Sequence, residues 1–127
     1  MTPQHPTPEY LERCRVAMAA EQTKSLAETN NWSHVDKHQV HLDWDALYKE
    51  LAPLLDGAQP SSSEIQTLIA RHYSIASRFY PPSREAYIGM ALFYQDNPDM
   101  KTFHNAYHPN MVDFLNEAIF TYAQNQL

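Results

Sequence analysis

The sequence predicts an all-α domain of five or six helices. Three observations carry this. Apolar residues from Val40 to Tyr122 recur in blocks at three- and four-residue intervals, the helical period. Most blocks open on a hydroxyl or amide side chain suited to capping a helix start. No stretch alternates convincingly at the two-residue period of a half-buried strand. At 127 residues the chain reads as one domain, 1–127, long enough to bury a core without staples.

The helices follow in order. Thr7-Pro8-Glu9 supplies an N-cap hydroxyl, a proline at the first helical position and a first-turn carboxylate. Tyr10, Leu11, Cys14 and Met18 form a stripe behind it. Residues 19–41 are polar, with Trp32 and Val35 as isolated anchors and Ser33-x-x-Asp36 as a hint of a fresh start. That stretch reads as weakly held helix, because packing supplies most helix stability. Val40, Trp44, Leu47, Leu51 and Leu54 then mark an amphipathic helix, tightened or kinked by Pro53 and ended by Gly57 as a left-handed cap. Ser61-x-x-Glu64 forms a capping box for a helix carrying Ile65, Leu68, Ile69, His72, Ile75, Ala76 and Phe79, which stops at Tyr80-Pro81-Pro82. Ser83 caps a helix through about Tyr94 that is apolar nearly all round, the mark of a buried central element. Gly89 inside it costs about 1 kcal/mol against alanine, which implies close approach of a neighbouring helix or a ligand. Asn97-Pro98-Asp99 starts a short helix with Met100, Phe103 and Tyr107, broken at His108-Pro109-Asn110. Met111, Phe114, Leu115, Ala118, Ile119 and Tyr122 stripe the last helix.

Composition excludes several functions. A net charge of −6, with no basic cluster beyond Arg13 and Arg15, argues against nucleic-acid binding by this chain alone. Two glycines leave no phosphate-cradling loop. A single cysteine, Cys14, excludes an intramolecular disulfide. No apolar run approaches about 18 residues, and Met1–His5 opens no signal peptide, so a cytoplasmic protein away from the membrane is expected. No cofactor is expected.

Catalytic constellations are weak. Ser83 lacks the glycines of a nucleophile elbow. Cys14, between two arginines, reads as a thiol of lowered pKa but has no partner motif. Asp43 and Asp45 flank Trp44 on different helix faces. Not an enzyme is the expectation. His34 and His38, with His41 following, and the pair His104 and His108 have the i, i+4 spacing that can ligate zinc. Solvated surface histidines are the plainer reading, so no metal site is assigned, and a metal-binding helical protein stands as an alternative.

Binding is the stronger theme. The chain has eight tyrosines, five phenylalanines and two tryptophans. Trp44, Phe79, Tyr80, Tyr87, Tyr94, Phe103 and Tyr107 are either plain core or the wall of an apolar cleft. Tyrosine favours the cleft, because its hydroxyl needs a partner or water when buried. Met90 joins the candidate ligand-binding set. His72 is either a satisfied core histidine or a polar anchor in the cleft. Trp32, on the weakly patterned segment 1–41, is a candidate for a mobile lid.

The ordered series His72, Phe79-Tyr80-Pro81, Tyr87, Tyr94, Asp96, Tyr107 and Ala118-Ile119-x-x-Tyr122 resembles the TipAS antibiotic-recognition domain, the effector domain of certain MerR-type regulators. The resemblance runs over roughly 43–125, with Asp43-Trp44 and the following leucine stripe fitting its upstream helix. It implies a globin-like helical fold without haem. It implies a cleft for bulky aromatic antibiotics such as thiopeptides or albicidin, and an N-terminal segment that folds over the drug. Three departures stand out. No helix-turn-helix precedes the domain, which points to a stand-alone form that sequesters drug. Pro82 stands where the thiopeptide-binding member has a cysteine, so no thiol is present there for covalent capture. Met100 replaces a common aromatic. The expected partner is a small-molecule antibiotic, bound non-covalently by a monomer or homodimer and giving drug resistance or sensing. A ligand-responsive protein-interaction module is the other alternative.

Overall fold

The computed structural model describes residues 6–127; the opening Met1–His5 lies outside the described residues. Six α-helices account for the architecture: α1 (Pro8–Glu28), α2 (Lys37–Leu51), α3 (Ser63–Ala76), α4 (Arg84–Asp96), α5 (Pro98–Asn105) and α6 (Met111–Gln126). No strand occurs among the described residues.

Most helix starts follow the capping chemistry. The side chains of Thr7, Ser83 and Asn97 accept from the backbone N–H of Tyr10, Ala86 and Met100. Other boundaries correct the expectation. The cap of α3 is Ser62, not Ser61: its Oγ accepts from Ile65 N–H. α2 starts at Lys37 behind Asp36, whose carboxylate accepts from Gln39 N–H. α3 ends at Ala76, short of Tyr80, because three-residue turns (Arg78 N–H to Ile75 O, Phe79 N–H to Ala76 O) tighten and close it. Residue 80, preceding a proline, is disfavoured in helical conformation. Pro53 does tighten the end of α2, into a 3₁₀ turn at Ala52–Leu54. Gly57 is not left-handed. The Leu54 carbonyl accepts from both Gly57 and Ala58 N–H, so the reversal closes without a positive φ.

The largest departure is α1. Residues 19–28 continue one helix of 21 residues that lies along α4. Gly89 is the reason the two come so close. A Cβ there would collide with the Cys14 carbonyl oxygen and stand 2.8 Å from Met18 Cβ. The neighbour it admits is therefore a helix, and the ligand alternative drops out. Glu21 adds a polar clasp by accepting from Ser83 N–H and Oγ at the start of α4. α4 is the central element, in contact with α1, α5 and α6. It buries Ala86, Tyr87, Ile88, Gly89, Ala91, Leu92 and Tyr94. The core continues through Ile65 and Ile69 of α3 and Met111, Leu115, Ala118 and Ile119 of α6.

Candidate ligand-binding site

Between α1 and α2 the chain reverses through three consecutive left-handed residues: Asn30, Asn31 and Trp32, with φ of 51°, 58° and 63°. Asparagine tolerates this region, but tryptophan carries its full steric cost, about 1–2 kcal/mol. Hydrogen bonds hold the turn. Asn31 N–H reaches Leu26 O at 2.9 Å, and Trp32 N–H reaches Thr29 Oγ1 at 3.1 Å. The Trp32 indole N–H donates to Ser25 Oγ at 2.9 Å. This swings the ring onto Phe79 (centroids 4.8 Å, edge-on) and over Tyr80 (6.5 Å, stacked).

Beneath that ring lies an apolar pocket of about 200 Å³. Trp32, Trp44, Phe79, Tyr80, Met90 and Tyr94 all line it. Phe93, Met18, Met100, Ala76 and Gln22 complete the wall. Among the described residues Gln22 is the one amide in the lining and no charged side chain contributes. Trp44 stacks parallel to Phe79 at 6.2 Å. Its buried indole N–H has no hydrogen-bond partner among the described residues. Burial pushes the Tyr80 phenol up to about 12.

His72 and Tyr87 do not reach the pocket wall. Both are fully buried behind it, in a polar network with Tyr48, Tyr94 and His104. The network can be satisfied with both imidazoles neutral, and His72 fits it in either tautomer, because its Nε2 lies 3.2 Å from Tyr48 Oη as well as 3.3 Å from Tyr94 Oη. His104 Nδ1 lies 2.7 Å from Met100 O, which can only accept, so Nδ1 carries the proton. Its Nε2 then accepts from Tyr48 Oη at 3.0 Å. In one tautomer Tyr87 Oη donates to Ile69 O at 3.4 Å and receives His72 Nδ1–H at 2.9 Å; in the other, Tyr87 Oη donates to His72 Nδ1 and His72 Nε2–H donates to Tyr48 Oη. In the first of these, His72 Nε2 accepts from Tyr94 Oη at 3.3 Å, and every donor finds an acceptor with both imidazoles neutral. Burial, with a smaller contribution from a charge on neighbouring His104, pushes His72 down to about 3. Burial also lowers His104, and it raises Tyr48 and Tyr87 well above the ordinary phenol range. His72 is thus a satisfied core histidine. It anchors the pocket only indirectly, through the hydroxyl of Tyr94 and a ring contact with Trp44 at 5.5 Å.

Phe103 and Tyr107 also lie away from the pocket. Phe103 is 48% exposed and packs edge-on against His104 and Tyr107. Tyr107 Oη donates to Asp45 Oδ1 at 2.6 Å, and burial together with that carboxylate pushes the phenol up to about 12. Sequence reasoning missed Tyr48, Phe93 and Met18. Tyr48 had a signal, standing four residues after Trp44 on a helix. Met18 and Phe93 had none that separates a pocket wall from a core stripe.

The histidine pairs do not converge on a metal. The His104 ring faces Tyr48 and Met100 O, whereas His108 Nε2 turns to Asp56 Oδ1 at 2.8 Å. His34 Nε2 sits 3.0 Å from Arg78 O. Among the described residues no group of three His, Cys, Asp or Glu is placed to hold a metal ion. The Cys14 thiol is raised, not lowered: burial outweighs its two arginine neighbours. Among the described residues no helix is long and apolar enough to cross a membrane.

Residues 17–122 match the TipAS antibiotic-recognition domain. The chain belongs to that family. The match begins inside α1 and takes in the Trp32 turn, well upstream of the Asp43-Trp44 motif. The all-helical architecture accords with the family's globin-like fold. The chain is 24% identical over 113 residues to the HTH-type transcriptional regulator SkgA of Caulobacter vibrioides, from two strains. That alignment covers 84% of this chain and 44% of SkgA, so the chain spans under half the length of these curated relatives. No solved structure matches.

Proposed function

We propose that the domain binds a bulky aromatic antibiotic, thiopeptide- or albicidin-like, without covalent chemistry, and so confers drug resistance or sensing. The observation that carries this reading is the aromatic pocket bordered by Trp32. Six aromatic rings and three methionine side chains surround a space with no charged lining. Rings and thioethers accept flat apolar guests of varied shape.

The pocket is smaller than the 300–1,000 Å³ typical of ligand sites. At about 200 Å³ it takes one or two rings of a larger molecule. Lifting of the Trp32 turn, breaking the indole–Ser25 hydrogen bond and two ring contacts, would enlarge it for a whole antibiotic. The left-handed backbone strain at Trp32, released on lifting, offsets part of that cost. His72 and Tyr87 hold the pocket floor in place while the lid moves. Sequestration needs no more than this: held drug lowers free drug. Likeness to a transcriptional regulator favours sensing where the domain is joined to a DNA-binding unit.

A thermal-shift screen of the purified protein against thiopeptides and albicidin-like oligoaromatics tests the proposal. A ligand at 100 times its dissociation constant adds about 2.7 kcal/mol, near 10 °C in Tm for a chain of this size. Trp32→Ala and Trp44→Ala should each weaken binding at least tenfold. Affinity within twofold of wild type in both folded variants would sink the assignment.

A further inference from the structure

A second cavity, of about 450 Å³, lies across α4 from the aromatic pocket. Ile88, Leu92 and Gln95 line it, while Met90, Phe93 and Tyr94 line the first. At about 100° per residue the two sets project from opposite sides of the helix. Leu11 of α1 and Phe120 of α6 complete an apolar floor with Ile88 and Leu92. Its size falls within the range of small-molecule sites.

Gln59, Ser61 and Gln95 contribute neutral polar groups that both donate and accept, and one face of α6 adds Asn116, Glu117 and Thr121; Glu117 is the one charged side chain among the described lining residues. On the α6 face the hydrogen-bond donors are already engaged. Both hydrogens of the Asn116 amide are taken up by Ala91 O and Val112 O, at 3.1 and 3.0 Å. The Thr121 hydroxyl donates to Glu117 O at 3.0 Å. What α6 offers a guest is therefore acceptors: Asn116 Oδ1, Thr121 Oγ1 and the Glu117 carboxylate. No Lys, Arg or His is among the described lining residues, and the whole chain carries −6. The loop that closes the far side is fixed, because Gln66 Nε2 bridges Pro60 O and Ala118 O at 2.8 and 3.0 Å.

From this we infer that the cavity between α1, α4 and α6 is a second ligand site, for a small amphipathic amine. Its apolar body lies on Ile88, Leu92 and Phe120, and its ammonium hydrogens meet the acceptor face of α6. The inference is independent of the antibiotic reading, because no residue is shared between the two cavities.

Three probes with one six-carbon chain separate head-group chemistry from mere greasiness: hexylamine, 1-hexanol and hexanoate. Each is titrated into ¹⁵N-labelled full-length protein and followed by amide shifts. Hexylamine should give saturable shifts clustered at Leu11, Ile88, Leu92, Asn116 and Phe120, with the Trp32 and Trp44 indole signals unmoved. It should bind at least fivefold more tightly than hexanol, and hexanoate more weakly still. Glu117 is exposed, so Glu117→Gln keeps the fold and should weaken hexylamine at least fivefold while leaving hexanol unchanged. Non-saturating or scattered shifts, hexanoate binding as tightly as hexylamine, or an unaltered hexylamine affinity in Glu117→Gln would each overturn the inference.

Discussion

Lowering the pH from 7 to 5 should cost this protein about 2 kcal/mol of folding stability through His72 alone. An unfolded histidine titrates near 6.5, whereas the folded imidazole is held down to about 3 by burial. Between those values the unfolded chain binds a proton that the native chain refuses. The stabilisation is fully present above pH 6.5 and is lost as pH falls from 6.5 toward 3, at about 1.4 kcal/mol per unit. The loss at pH 5 barely depends on the folded value, provided that value stays below about 4. His104, also lowered by burial, adds in the same direction. Urea unfolding followed by circular dichroism at pH 7, 6 and 5 measures the slope. His72→Gln should be destabilised at pH 7 and show a shallower slope, and the wild-type His72 ring proton should hold one chemical shift from pH 7 to 4.5. Wild-type stability at pH 5 within 0.5 kcal/mol of its pH 7 value (about a quarter of the expected loss), or a His72 ring titrating near 6, would refute the buried neutral network.

Other perturbations test neighbouring parts of the argument. Tyr48→Phe leaves His104 Nε2 without its buried donor and should cost about 1–3 kcal/mol in urea unfolding; a neutral change would mean the donor lies elsewhere. Gly89→Ala gains about 1 kcal/mol of helix propensity but drives a methyl into the Cys14 carbonyl. A net loss of about 2 kcal/mol follows from overpacking, read as a Tm lower by about 7 °C, and an unchanged Tm would contradict the α1–α4 crossing. Ser25→Ala removes the acceptor of the Trp32 indole and should red-shift tryptophan emission as the ring loosens. Cys14, buried and with a raised pKa, should react with a thiol reagent orders of magnitude faster in denaturant than in the native state.

Capping chemistry and apolar period made much of the fold legible. Thr7, Ser83 and Asn97 each start the helix they announce, and the nearly all-apolar α4 is the buried centre. The second half of α1 read as helix but weakly held, because its inward stripe runs from Leu11 and Cys14 through Met18 to Gln22 and Ser25. Its last two members are polar, so the period persists while the hydrophobicity does not. Ser61 and Ser62 present the same hydroxyl one residue apart, and sequence alone does not separate them. The candidate site was legible by residue type and blurred by depth. Trp44, Phe79, Tyr80, Met90 and Tyr94 line the pocket, whereas Tyr87, four residues before Ala91 on the same helix, turns inward. Helical period places a ring on a face, but whether that face meets a void or another helix depends on partners far along the chain. His104 read as a solvated surface histidine, with a metal pair as the alternative, yet it is buried, because i, i+4 spacing carries no information on burial.

The seam between α1 and α4 bears on where the functional unit ends. Family likeness fades upstream of residue 17, yet Cys14 seats against Gly89, Tyr10 Oη bonds Glu85 at 3.2 Å and Arg15 pairs with Asp96 at 2.7 Å. A fragment trimmed to the homology boundary would bare the α4 backbone at its narrowest crossing and discard about the first two and a half turns of its cover. The folding unit therefore reaches back to Thr7, ten residues beyond what kinship alone would mark out.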